Sequence, residues 1–146
     1  SVAIAFKYKN NKNEHKYFYK KFTNTVKYID SNIEEFSTYK TIDKSNLTLT
    51  TYSTCGAEAF GMGKKVLFFN GSGDSSIGVQ EAGYCYLEND DYEKFRDHIC
   101  ELLSMTNNEY ISKVYENMKY MMNYNNADMP HLRIRKSILS SLKKPN

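Results

Sequence analysis

The sequence predicts an α/β domain, a parallel sheet flanked by helices with additional helices at the C-terminal end. Three observations carry that expectation. Short apolar or β-branched runs alternate with amphipathic segments from Val2 to Leu87, and each return is long enough to hold a crossover helix between parallel strands. The stretch Leu47 to Phe69, LTLTTYSTCGAEAFGMGKKVLFF, reads as strand, tight turn, small-residue helix and second strand. Beyond Leu87 strand signals give way to apolar residues at helical spacing.

Val2 to Tyr8 is an apolar strand, and Asn13 to Phe22 a polar-faced helix with Phe18 and Phe22 one turn apart on its inner side. Val26 to Ile29 reads as a second strand. Ser31 or Asn32 is then expected to cap a helix with Ile33, Phe36 and Tyr39 on one stripe. Leu47 to Thr51 and Lys65 to Phe69 are the strands around the central turn, with Gly61 and Gly63 permitting a left-handed helix exit. Asn70 to Gly78 is a glycine-serine loop, expected to be mobile, at the strand edge where open α/β sheets bind ligands. Gly83 to Leu87 completes the strands, and Asp90 is placed as the cap of a helix carrying Tyr92, Phe95, Ile99, Leu102 and Leu103. A long helix follows with the stripe Ile111, Val114, Tyr115, Met118, Met121 and Met122. Asp128-Met-Pro130 opens a final helix, where proline is tolerated in the first turn.

The turn at the centre carries the chemistry. Ser53, Thr54, Cys55 and Gly56 open a helix whose exposed N–H groups and positive dipole end suit an anion such as phosphate. An ordinary βα turn with a capping hydroxyl would look the same. Glu58 lies one turn further, within reach of a ribose hydroxyl, or serves as a solvated carboxylate complementing the dipole. Tyr28 and Ile29, with Asp30, end the neighbouring strand and face the same crevice, which places a nucleobase there unless Tyr28 is core.

Weaker candidates surround this turn. Lys7 ends the first strand and could meet a phosphate or a partner domain, while Gln80 and Glu81 follow the glycine-serine loop and could bond sugar hydroxyls. That loop either covers a donor sugar or is a plain connection. His15, His98 and His131 are scattered, with no nucleophile beside them. Cys55 is read as a small packing side chain within the turn, and the methionines as core or a covered domain interface. The basic tail of Arg133, Arg135, Lys136, Lys143 and Lys144 suits either solvent or an anionic membrane surface.

The order Ser53, Thr54, Gly56, Glu58, Ala59, Gly63 and Lys64 between two strands resembles the nucleotide-sugar-binding half of GT-B glycosyltransferases. The likeness spans about Val26 to Leu103 and is tight only from Ser45 to Phe69. It implies a single Rossmann-like domain over residues 1–146, the C-terminal half of such an enzyme, with the N-terminal half absent. It also implies that the turn holds the donor's phosphates, that Glu58 binds the ribose, and that no metal or other cofactor is bound beyond the nucleotide-activated sugar as donor substrate. The acceptor and the base would belong to the missing half, so the chain alone is expected to be inactive, and its final helix would cross to that half. The Met118, Met121 and Met122 stripe and the final helix would then form part of the surface left open. Capsule and teichoic-acid transferases with a similar turn often end the first strand in a basic residue and His-Pro. Lys7-Tyr8-Lys9 departs from that ending and tells against those subfamilies. A nucleotide-sugar 2-epimerase, or a docking module of the same fold without catalysis, are the alternatives.

Length and composition bound these readings. The 146 residues suffice for one domain and fall short of two Rossmann-like domains. The start Ser-Val-Ala-Ile-Ala lies inside a strand, so a piece of a longer protein is expected, or else a short subunit of a split transferase. A net charge of +3 is too mild to require nucleic acid, and no nucleic-acid partner is expected. Three cysteines without metal-ligand spacing suggest reduced thiols and a cytoplasmic protein, at most peripheral to a membrane. The expected role is surface or secreted polysaccharide biosynthesis.

Overall fold

The computed structural model describes residues 1–6, 12–22, 25–30, 32, 35–88, 91–122 and 129–142. It is a mixed α/β structure with two short parallel sheets flanked by helices. Strand β1 (Val2–Ala5) pairs in parallel with β2 (Val26–Ile29), Val2 opposite Val26 and Ala5 opposite Ile29, and helix α1 (Lys12–Lys21) lies between them in sequence. Phe6 is buried where this unit closes, its ring 3.9 Å from His15 and 5.8 Å from Tyr28. Helix α2 (Ser37–Asp43) leads to the second sheet, in which β4 (Val66–Asn70) is central between β3 (Thr48–Thr50) and β5 (Tyr86–Glu88), both parallel to it.

One continuous sheet was expected. Among the described residues there are two, and β2 shares no hydrogen-bonded edge with β3. The α2 region differs as well. Asn32 N–H donates to Ser37 Oγ and Ser37 N–H to Asn32 O, closing a local turn that competes with helix. Phe36 sits after it in a left-handed conformation at φ 51°, so the helix begins only at Ser37. Ser31 and Ile33 lie outside the described residues, as do Tyr8, Lys9, Asp128, Lys143 and Lys144.

Helix α3 (Thr54–Gly61) packs along β3 and β4. Gly56 makes that approach possible, since a Cβ there would stand 2.6 Å from Thr50 Cγ2. Of the two glycines expected to release the helix, only Gly63 has positive φ, at 82°. Gly61 is helical and instead leaves room for Met122. The strand expected from Gly83 begins at Tyr86, because Gln80–Cys85 forms a 3-10 helix kinked at Gly83, φ 56°. Asn117 fills the space beside that kink and donates through Nδ2 to Glu81 O at 2.9 Å.

Helix α4 (Tyr92–Ser104) is capped by Asp91, whose side chain accepts from Lys94 N–H; Asp90, the expected cap, lies outside the described residues. Helix α5 (Asn107–Met121) places Tyr110 and Val114 in the core with Phe60, Val66, Leu67, Phe68, Cys85 and Leu102. Met118 and Met121 pack half-buried against this core. They therefore cover apolar area on one side and remain partly exposed on the other. Helix α6 (Pro130–Leu142) starts at its proline as expected and buries none of its residues, so that part of the expectation is compatible with its exposed Leu132, Ile134 and Leu142.

Candidate functional site

Parallel strands deliver their C-terminal ends to one edge, and the turn after β3 stands there. Ser53 is extended, at φ −134° and ψ 131°, and its carbonyl accepts from Ala57 N–H at 3.0 Å. Its side chain makes no capping hydrogen bond. Among the described residues neither the Ser53 nor the Thr54 hydroxyl has an intramolecular partner. Helix geometry leaves the N–H groups of Thr54, Cys55 and Gly56 without intrahelical acceptors. The structure thus brings Ser53, Thr54, Cys55 and Gly56 together as an uncommitted set of donors with a helix dipole behind them.

Glu58 lies on the second turn of α3 and is tied to α2. Tyr39 Oη donates to Glu58 Oε2 at 2.5 Å. That hydrogen bond, with the Cys55 thiol also beside the phenol, raises Tyr39 well above the ordinary tyrosine value. A second tie joins the end of α2 to the turn that follows α3. Lys64 Nζ donates to Asp43 Oδ1 at 2.6 Å, and the ammonium holds the Asp43 carboxyl below its usual range. Phe36 and Tyr52 are 65% and 73% exposed on the segments leading into α2 and α3, which leaves two aromatic rings available to solvent.

The remaining candidates sit elsewhere. Tyr28 belongs to the aromatic cluster of the β1–β2 unit, its Oη donating to Phe18 O at 2.9 Å and its ring centroid 4.1 Å from Tyr19. Ile29 O accepts from Phe6 N–H at 3.1 Å. Among the described residues no hydrogen bond joins either to the Ser53 turn, and β2 and β3 are not hydrogen-bonded neighbours. Lys7 lies outside the described residues.

The glycine-serine loop is held in a chain of side-chain turns rather than left loose. Asn70 is fully buried; its Oδ1 accepts from Ser72 N–H and Oγ, and its Nδ2 donates to Asp74 O at 2.9 Å. Asp74 in turn accepts from Ser76 N–H and Oγ, which lowers its carboxyl. Gln80 is drawn into this loop, Nε2 donating to Ser75 O at 2.7 Å, whereas the exposed Glu81 contributes only its carbonyl, to Asn117.

Sequence reasoning missed Tyr39 and Asn70 as organising residues. Tyr39 falls on an apolar stripe, and nothing local marks a phenol that will meet a carboxylate 19 residues later. The repeat Asn70-Gly-Ser72-Gly-Asp74-Ser-Ser76 does carry a signal, because Asn and Asp at alternate positions favour Asx turns. Among the described residues no group of three or more His, Cys, Asp or Glu side chains is placed to hold a metal ion, and no helix is long and apolar enough to cross a membrane. No protein-family model, curated protein or solved structure matches the chain, so the geometry of the turn itself carries the functional reading.

Proposed function

We propose that the chain is a Rossmann-like, nucleotide-sugar-binding domain of a GT-B glycosyltransferase acting in polysaccharide biosynthesis. The observation that carries this reading is the uncommitted start of α3. Two hydroxyls and three backbone N–H groups follow one another beyond a parallel strand, and a carboxylate comes one turn later. In this reading Ser53, Thr54 and the backbone near Gly56 take the donor phosphates and stabilise charge that builds on the departing phosphate. Glu58 takes the ribose. The acceptor and its base come from a companion half, which the chain would meet with α6 among the contact surfaces.

Titration tests it. Calorimetry and amide-shift mapping with uridine, cytidine and guanosine diphosphates are expected to show saturable binding centred on Ser53 to Glu58. No response at this turn up to about millimolar concentration, equivalent to about 4 kcal/mol of binding free energy, would replace the reading with a docking module of the same fold.

A further inference from the structure

The bond between Tyr39 and Glu58 sits where the fold gains little from it. Tyr39 is exposed and Glu58 half-buried, and a hydrogen bond still open to solvent largely exchanges one set of water contacts for another. The connection is nonetheless long-range, running from α2 to α3 across 19 residues, and α2 is fastened at its far end by Asp43 to Lys64. Tyr39 is therefore presented by a helix whose end is tied to the turn that follows α3, rather than by a loose loop.

We propose that Tyr39 is a positioning residue that orients the Glu58 carboxylate for a vicinal diol and thereby makes the site select ribonucleotides over their 2′,3′-dideoxy counterparts. The inference rests on the nucleotide-binding reading above and adds to it the source of sugar discrimination. A carboxylate offers about four lone-pair positions on two oxygens. With Tyr39 on Oε2, Oε1 keeps both of its positions and Oε2 keeps one, enough to accept from two neighbouring hydroxyls. A free glutamate would have to lose its side-chain rotamer freedom when ribose arrives. Held by Tyr39, it has lost that freedom beforehand, which is preorganisation. The raised phenol keeps its proton through the neutral range and so stays a donor.

The experiment measures dissociation constants by calorimetry for the diphosphates of uridine, cytidine and guanosine and for their 2′,3′-dideoxy forms. Wild type, Tyr39→Phe, Glu58→Ala and the double variant are compared, with thermal melts to confirm folding. Tyr39→Phe is expected to weaken ribonucleotide binding about threefold to tenfold, to leave dideoxy binding unchanged, and to have no effect when Glu58 is already alanine. Glu58→Ala alone should weaken ribonucleotide binding by about tenfold or more. Equal losses on ribo and dideoxy ligands would mean a purely structural role and overturn the proposal, as would tighter binding by Tyr39→Phe. An unchanged Tyr39→Phe beside a weakened Glu58→Ala overturns the proposal while the nucleotide reading stands. Wild type that binds both sugars equally overturns it without any variant. Absence of all nucleotide binding in wild type removes the underlying reading and the proposal together.

Discussion

Helices α3 and α5 both begin with a hydroxyl residue at the N-cap, yet the two hydroxyls are used in opposite ways. Thr106 closes a capping box. Its Oγ1 accepts from Glu109 N–H at 3.3 Å while Glu109 Oε2 accepts from Thr106 N–H at 2.7 Å. The next residue, Tyr110, is fully buried and accepts from Val66 N–H at the start of β4. Ser53 makes no such bond, and in its first turn the side-chain-free Gly56 faces the sheet closely. One helix start is consumed by the fold, and the other is spare. Stability alone would favour capping both, since a hydroxyl cap contributes about 1 kcal/mol. An uncapped serine at the C-terminal edge of a parallel strand is therefore the position on which the proposed binding of an outside acceptor rests.

The largest effect expected of any change to this contrast lies at Tyr110. Its Oη donates to Lys64 O at 3.0 Å and accepts from Val66 N–H at 3.2 Å, and burial pushes the phenol far above the ordinary value. Its neighbour Cys85 is likewise pushed up by burial, to about 11. Tyr110→Phe keeps the ring but strands a buried amide and a part-buried carbonyl. Urea unfolding should show a loss of about 1–3 kcal/mol, with nucleotide affinity of the folded protein unchanged. A loss near zero would mean that the α5 start is not built into the core as described.

The two caps give a crossed pair of smaller effects. Thr106→Ala should cost about 0.5–2 kcal/mol of stability and nothing in nucleotide binding. Ser53→Ala should leave urea unfolding within about 0.5 kcal/mol of wild type and weaken binding of the diphosphate severalfold. The comparison fails if both substitutions destabilise the fold alike, because Ser53 would then be capping its own helix.

Much of the second sheet was legible in the sequence because its signals are local. Val66 to Phe69 is a continuous apolar run, Ser53 before Thr54-Cys-Gly is a cap pattern, and Gly63 marks a left-handed exit. What escaped depends on distant partners. The phenol of Tyr39 looks like any amphipathic ring until α2 is laid against α3, and the delayed start of that helix follows from the Asn32 to Ser37 turn. Tyr28 is a second case: its position at a strand end says nothing of the Phe18 carbonyl ten residues away to which its phenol donates. The division into two sheets had no sequence signal at all, since strand pairing is a choice among edges and not a property of one strand.

The smallest effect is a pH dependence confined to the α5 start. Glu109 is held below its ordinary value, first by the Thr106 backbone N–H and then by the Thr106 hydroxyl, both donating to the charged carboxylate. A carboxyl depressed by folding binds its proton more readily in the unfolded chain, so the stability it contributes is complete above its ordinary value of about 4.3 and fades as pH falls below it. Thr106→Ala removes the hydroxyl from that arrangement. The gap in melting temperature between wild type and Thr106→Ala should therefore be widest near neutral pH and narrow below about pH 4, without vanishing, because the Thr106 oxygen still accepts from Glu109 N–H in the acid form. Ser53→Ala should show no such trend, having no carboxylate bonded to its cap. Parallel melting curves for Thr106→Ala at every pH would mean that the charge on Glu109 plays no part in closing the α5 start, and the difference between the two helices would then rest on the hydroxyl alone.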